Sequence, residues 1–300
     1  MRFRAHETFF IRKGWLSKGM KSIVNNPSVF MGIDNKGSKI NPMDVLGIGA
    51  NMVKSLRYWL QVVGLTKEPE SGRKFQTLTP LGELVFYYDP YIEEMGTLSL
   101  LHYNLCSNKD HATAWYYFFN EFTLRSFSRD DFVSSITGYI QMNNESVSTR
   151  SLEDDFNCII GTYISSERRG NTRVSPENNI DCPFGELELL EVDNKKARTI
   201  TYRKKSASKV VMPSLIALAL IIHMPGDNQE IPIGTLLSGQ ESIGKAFNFD
   251  TIALSSLLLD LESLGYLKII RTAGLDVVRL ESNLTYQACI EQYYKSISRG

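Results

Sequence analysis

Apolar residues return at helical spacing through most of this chain and at strand spacing in only a few short runs. Trp15 to Val24 carries Leu16, Met20, Ile23 and Val24 on one face and stops at Asn25-Asn26-Pro27. Asn41-Pro42 opens a second helix, with a capping side chain followed by proline at the first helical position. Gly47-Ile48-Gly49 breaks it, and Ala50 to Val63 forms a third helix. There Met52, Val53, Leu56, Trp59, Leu60 and Val63 recur on one face and are expected to meet the core. Leu65 to Glu68 and Lys74 to Leu78 then read as two strands joined at Ser71-Gly72. Helix, tight turn, helix and β-hairpin is the order of a winged helix-turn-helix.

Thr79-Pro80 caps a further helix from Leu81, and helical spacing continues to about residue 165. The aromatic run Trp115 to Phe119 falls within it and reads as helix core rather than a platform for stacked bases. Ser151-Leu152-Glu153-Asp154 resembles a capping box before the helix Leu152 to Ile164. Leu187 to Val192 and Ala197 to Tyr202 are expected strands around a turn at Asp193-Asn194. Ser214 to His223 follows as a buried helix with Ser214 as its cap, then a long helix from Asp250 to Leu264. A second hairpin, Tyr266 to Arg271 with Asp276 to Leu280, and a closing helix from Asn283 to Ile297 complete the chain. The expected class is mainly α with small β-hairpins. It divides into a winged-helix DNA-binding unit (1–90), a helical unit (91–165), a loop and hairpin connector (166–212) and a second winged-helix-like unit (213–300).

Composition changes this picture little, but the distribution of charge changes it a good deal. Apolar residues make up 43% and charged residues 22%, ordinary values for a soluble globular protein. The longest apolar run, Leu215 to Ile222, is too short to span a bilayer, and the first residues lack a signal-peptide pattern. Four scattered cysteines without a Cys-x-x-Cys pattern suit reduced thiols in a cytoplasm. The formal net charge is zero, yet residues 1–90 hold 13 Lys/Arg against 7 Asp/Glu while residues 91–165 hold 4 against 10. A basic amino-terminal unit attracts a polyanion locally even when the molecule is neutral.

The face of the third helix opposite its apolar stripe shows Asn51, Lys54, Arg57, Tyr58 and Gln61. These are donor-rich side chains suited to phosphates and base edges, and Arg73 and Lys74 fall at the tip of the expected wing. The competing reading is a solvated helix in a unit that contacts only protein. The acidic 213–300 unit would repel phosphates and is expected to pack against a partner or a second copy.

Several blocks together resemble the uncharacterised bacterial domain-of-unknown-function family 4007. They include His6-Glu7-Thr8-Phe9 with Arg12 and Gly14-Trp15-Leu16, and Leu46-Gly47-Ile48-Gly49 with Asn51-Met52-Val53 and Arg57-Tyr58-Trp59. Asp89-Pro90-Tyr91, Thr97-Leu98 with Leu101-His102, Trp115 with Phe118-Phe119-Asn120, and Ser151-Leu152-Glu153 with Asp155 continue the likeness in order. The resemblance implies a place in bacterial antiviral defence loci beside sulfonucleotide-reductase-like enzymes of DNA phosphorothioation. It implies no established activity and no catalytic residues. His6, Glu7 and Arg12 can pin the amino-terminal arm through charge-assisted bonds, or contact a ligand or nucleic acid.

Catalytic patterns are sparse. His102 and Cys106 share a helical face, with His111 nearby, but three or four convergent ligands are needed for a metal. Asp181 with Asp193-x-Lys195 mimics the spacing of a magnesium-dependent nuclease, although a turn at Asp193-Asn194 is the wrong setting for that chemistry. There is no Gly-x-Ser-x-Gly, and Gly47-Ile48-Gly49 lacks the further glycine and preceding strand of a dinucleotide site. The resulting expectation is a non-enzymatic, cofactor-free accessory that binds duplex DNA and docks a modification enzyme. A protein-only adaptor is the alternative, followed by a metal-dependent nuclease.

Overall fold

In the computed structural model, residues 1–69, 74–165, 181–196, 199–224, 229–272 and 275–298 are described. Helices dominate, and all the sheets are small and antiparallel. At the amino end α1 (Trp15–Asn25), α2 (Pro42–Leu46) and α3 (Ala50–Val62) pack on one another beside the short strands β1 (Thr66–Lys67) and β2 (Thr77–Leu78). Asn41 caps α2 through its side chain and Thr79 caps α4 (Pro80–Tyr88), each followed by a proline that has no amide proton to leave unpaired.

The helix α5 (Met95–Ser107) lies at the centre, with every residue from Gly96 to Tyr103 buried. A helix enclosed on all sides must satisfy its polar side chains internally. The Thr97 hydroxyl lies 2.6 Å from the Tyr294 hydroxyl, and Ser99 donates to the Val211 carbonyl at 2.5 Å. His102 donates from Nε2 to the Ala246 carbonyl at 2.7 Å and accepts at Nδ1 from the Tyr163 hydroxyl at 2.8 Å. On α5 packs α6 (Thr113–Asn120), and on α6 in turn pack α7 (Arg129–Met142), with its Ser128/Asp131 capping box, and α8 (Thr149–Tyr163). The cap of α8 is Ser148 rather than the expected Ser151, whose amide instead donates to Ser148 Oγ.

A second sheet places β3 (Ser126–Phe127) beside β5 (Thr199–Lys204), which pairs with β4 (Leu190–Lys196). Asp193 and Asn194 therefore lie within a strand and not in the expected turn, at a register shift between Val192 and Asn194. The Lys204 ammonium leaves this sheet to donate to the Phe118 and Phe122 carbonyls at 2.6 Å each, where a cation suits the carbonyl end of α6.

The carboxyl end holds α9 (Ser214–His223), α10 (Ile233–Ser238), α11 (Ile243–Ala246), α12 (Thr251–Ser263) and α13 (Tyr286–Ile297). Three strands, β6 (Glu230–Pro232), β7 (Leu267–Thr272) and β8 (Leu275–Leu280), pair in the order β6-β8-β7. Pro213, not Ser214, occupies the cap position of α9, and that helix has no side-chain cap.

The amino-terminal arm is fixed across α8. Arg4, Glu7 and Thr8 all adopt left-handed backbone angles, which bulky residues hold only under local restraint. The restraint is His6, fully buried, whose Nδ1 accepts from the Thr8 amide at 3.0 Å. Its Nε2–H consequently donates to Asp155 Oδ1, 2.6 Å away, while the Arg4 amide donates to the same carboxylate at 2.9 Å. Burial raises the Asp155 carboxyl above its usual range, and the His6 and Arg4 bonds hold it down.

Two outcomes are expected. His6→Ala leaves a buried carboxylate short of its main donor and should cost about 3 kcal/mol in chemical denaturation, with Asp155→Asn costing less. Burial also holds the His102 imidazole at about 4, below the ordinary 6.5. A lowered folded-state value gives stability that is present above pH 6.5 and lost as pH falls toward 4. The melting temperature should drop across that window, by an amount equivalent to at most about 3 kcal/mol, and His102→Gln should flatten the drop.

Candidate nucleic-acid interface

The junction of α2 and α3 is built by backbone need. Gly47 closes α2 at φ 61°, and Lys18 from α1 donates to the Leu46 carbonyl at 3.0 Å, a cation at a helix carbonyl end. Gly49 then starts α3 with no capping side chain and no acidic residue in the first turn. The partly positive end of a thirteen-residue helix is thus left uncovered at the surface. Asn51 and Lys54 are both exposed beside it, joined by a Lys54 Nζ to Asn51 Oδ1 bond of 3.3 Å. This arrangement can hold a phosphate oxygen.

The remaining residues of the expected binding face separate into different roles. Arg57 makes a two-pronged bond to Glu68, from Nε to Oε1 and from Nη2 to Oε2, each 2.5 Å. Gln76, fully buried, donates to the same Glu68 and to the Arg57 carbonyl. Arg57 is therefore a clasp between α3 and the β1–β2 pair rather than a cation offered to solvent. Tyr58, expected outward, is buried instead: its hydroxyl donates to the His111 carbonyl at 3.1 Å, and burial pushes that hydroxyl's pKa up. The amino-terminal arm and the loop at His111 cover a second side of α3, which widens its buried face. Gln61 is half-buried and lines a cleft away from Lys54, at the other end of α3. Lys74 is exposed, and Arg73 lies outside the described residues.

The cluster His6, Glu7 and Arg12 does not form one network. His6 pairs with Asp155, whereas the Arg12 guanidinium stacks over Trp15 at 5.3 Å and Phe9 at 5.8 Å. Neither Glu68 nor Asp155 was legible as a partner, because they stand 11 and 149 positions from the groups they bind.

Chemistry elsewhere is engaged internally. Both ring nitrogens of His102 have partners, and no three His, Cys, Asp or Glu side chains among the described residues converge to hold a metal ion. Asp193 accepts from Ser126 at 2.9 Å and from Arg203, which together lower its pKa. In the carboxyl-terminal unit, Asp260 pairs with Lys209 and Glu262 accepts the Ile269 amide. The prominent exposed residues of α12 are apolar: Ile252 is 82% exposed and Leu259 is 50% exposed.

No helix among the described residues is long and apolar enough to cross a membrane. No curated protein matches the chain. Two solved structures share its fold. A magnesium ion-bound SspB crystal structure matches with a TM-score of 0.81 at 24% identity, covering 99% of this chain and 89% of that one. A further SspB crystal structure matches with a TM-score of 0.76 at 24% identity, covering 99% and 86%. The family model described as a protein of unknown function (DUF4007) spans residues 3–294, and the chain belongs to that family.

Proposed function

We propose that this protein is a non-enzymatic DNA-binding accessory of a phosphorothioation-type DNA-modification defence system. The observation that carries the reading is the uncovered start of α3, exposed next to Asn51 and Lys54. Read as a winged helix, the α1–α3 unit would place α3 against a groove and Lys74 against the flanking backbone. Arg57 supports this role indirectly, by fixing the angle between α3 and the strand pair through Glu68. The family resemblance and the likeness to structures named SspB support the defence setting.

The strand order β6-β8-β7 behind α12 supports a second winged-helix-like unit. Its helix α12 exposes the apolar Ile252 and Leu259, whereas the start of α3 exposes Asn51 and Lys54, so that unit suits a protein partner, such as a modification enzyme of the same system.

A magnesium-dependent nuclease gains one point from the structure, since Asp193 lies on a strand two residues before Lys195. One of the similar structures is also described as magnesium ion-bound. The described residues of this chain do not fit such an ion, because the Asp193 carboxylate is taken by Arg203 and Ser126 and no third ligand converges there.

Lys54→Glu with Lys74→Glu should weaken retention of duplex DNA in a gel shift at least tenfold, with an unchanged melting temperature. Wild-type binding should fall steeply as salt rises. Arg57→Glu should instead lower the melting temperature. Equal retention by the Lys54/Lys74 variant would refute the interface. Magnesium-dependent nicking that disappears in Asp193→Ala would replace the accessory reading with the nuclease.

A further inference from the structure

A cleft of about 630 Å³ opens where the end of α3 meets α5 and the carboxyl-terminal unit. Its lining includes Gln61, Asn104, Lys109, His223 and Glu241, which come from four separate stretches of chain. This is the size of a small-molecule site, and its lining mixes polar and apolar surface.

Glu241 is the unusual member. Its φ of 56° is left-handed, a conformation a glutamate holds only when its surroundings enforce it. They do so at both ends of the residue. The Glu241 amide donates to Asn120 Oδ1 at 2.7 Å, and its carbonyl accepts from the Tyr103 hydroxyl at 2.7 Å. Asn120 is in turn fixed by Nδ2 bonds to the Cys106 and Tyr116 carbonyls. This clamp sets the backbone of Glu241 on the cleft wall. Its carboxylate makes no hydrogen bond or ion pair among the described residues, and burial raises its pKa while Lys109 lowers it.

The other groups complement a carboxylate acceptor. Asn104 spends its Nδ2 on the Val63 carbonyl at 3.1 Å, leaving Oδ1 as a second acceptor. His223 stacks on Tyr286 at 4.5 Å and adds a flat ring to the lining. Burial lowers the pKa of His223, which favours the neutral ring. A carboxylate among aromatic rings pairs best with a planar group carrying two parallel N–H donors. Lys109 and Asp110, both exposed, add one charge of each sign to the lining, with Lys109 near enough to Glu241 to lower its pKa.

We propose that this cleft binds a small ligand through a planar pair of N–H donors, a guanidinium group or the N1–H and N2–H edge of guanine, received by Glu241. The site is independent of the α3 interface and would stand if DNA binding failed.

Calorimetric titration of the full chain with L-argininamide, guanosine monophosphate, lysinamide and adenosine monophosphate tests it. Argininamide or guanosine monophosphate should bind at least tenfold more tightly than its control, and which of the two binds identifies the source of the donor pair. Glu241→Gln, with an unchanged melting temperature, should weaken that binding at least tenfold. Should that variant fail to fold, Gln61→Ala must weaken binding in its place. Absence of binding by both probes, equal binding of the controls, or full binding by the folded variant overturns the proposal.

Discussion

The fold depends on one constraint: α5 is enclosed from Gly96 to Tyr103, and a stretch of helix with no solvent face has nowhere to discharge its polar groups. Each of Thr97, Ser99 and His102 therefore reaches a different neighbour. Thr97 joins α13, Ser99 the segment before α9, and His102 both α8 and α11. Apolar contacts alone would allow these helices to slide, whereas bonds with fixed donors and acceptors set their registers. The neutral state of His102 belongs to the same constraint, since burial disfavours the charged ring.

What was readable in the sequence is what obeys local rules. Asn41-Pro42, Thr79-Pro80 and the Gly47 break mark real helix ends because caps act within a few residues. The stripe of α3 was readable too, since its period is set by helix geometry. Its second buried side was not. Tyr58 is covered by the loop at His111, 53 positions away, and no periodicity reports that. Arg57 had the chemistry of a phosphate contact but meets Glu68 across a strand pair rather than one helical turn away. Asp193-Asn194 carried a turn composition, yet pairing with β5 overrode it and left a register shift as the trace of the conflict. The short elements β6, α10 and α11 lack the length over which a period becomes visible.

Each end of the molecule has a helix followed by a strand pair, and the two helices present different surfaces. The exposed start of α3 joins uncapped amides to an amide side chain and an ammonium, which favours an anion and weakens with salt. The exposed side of α12 presents branched carbons flanked by paired charges, so approach of a polyanion gains nothing there.

The arm anchored by His6 has a photophysical consequence. Its imidazole lies 6.2 Å from the Trp59 ring and 5.7 Å from Trp115, in a pocket closed from water. Two of the three tryptophans in the chain therefore sense whether the first eight residues are seated. Release of that segment would let solvent reach both indoles and shift their emission to longer wavelength, so the protein carries its own optical gauge of arm docking.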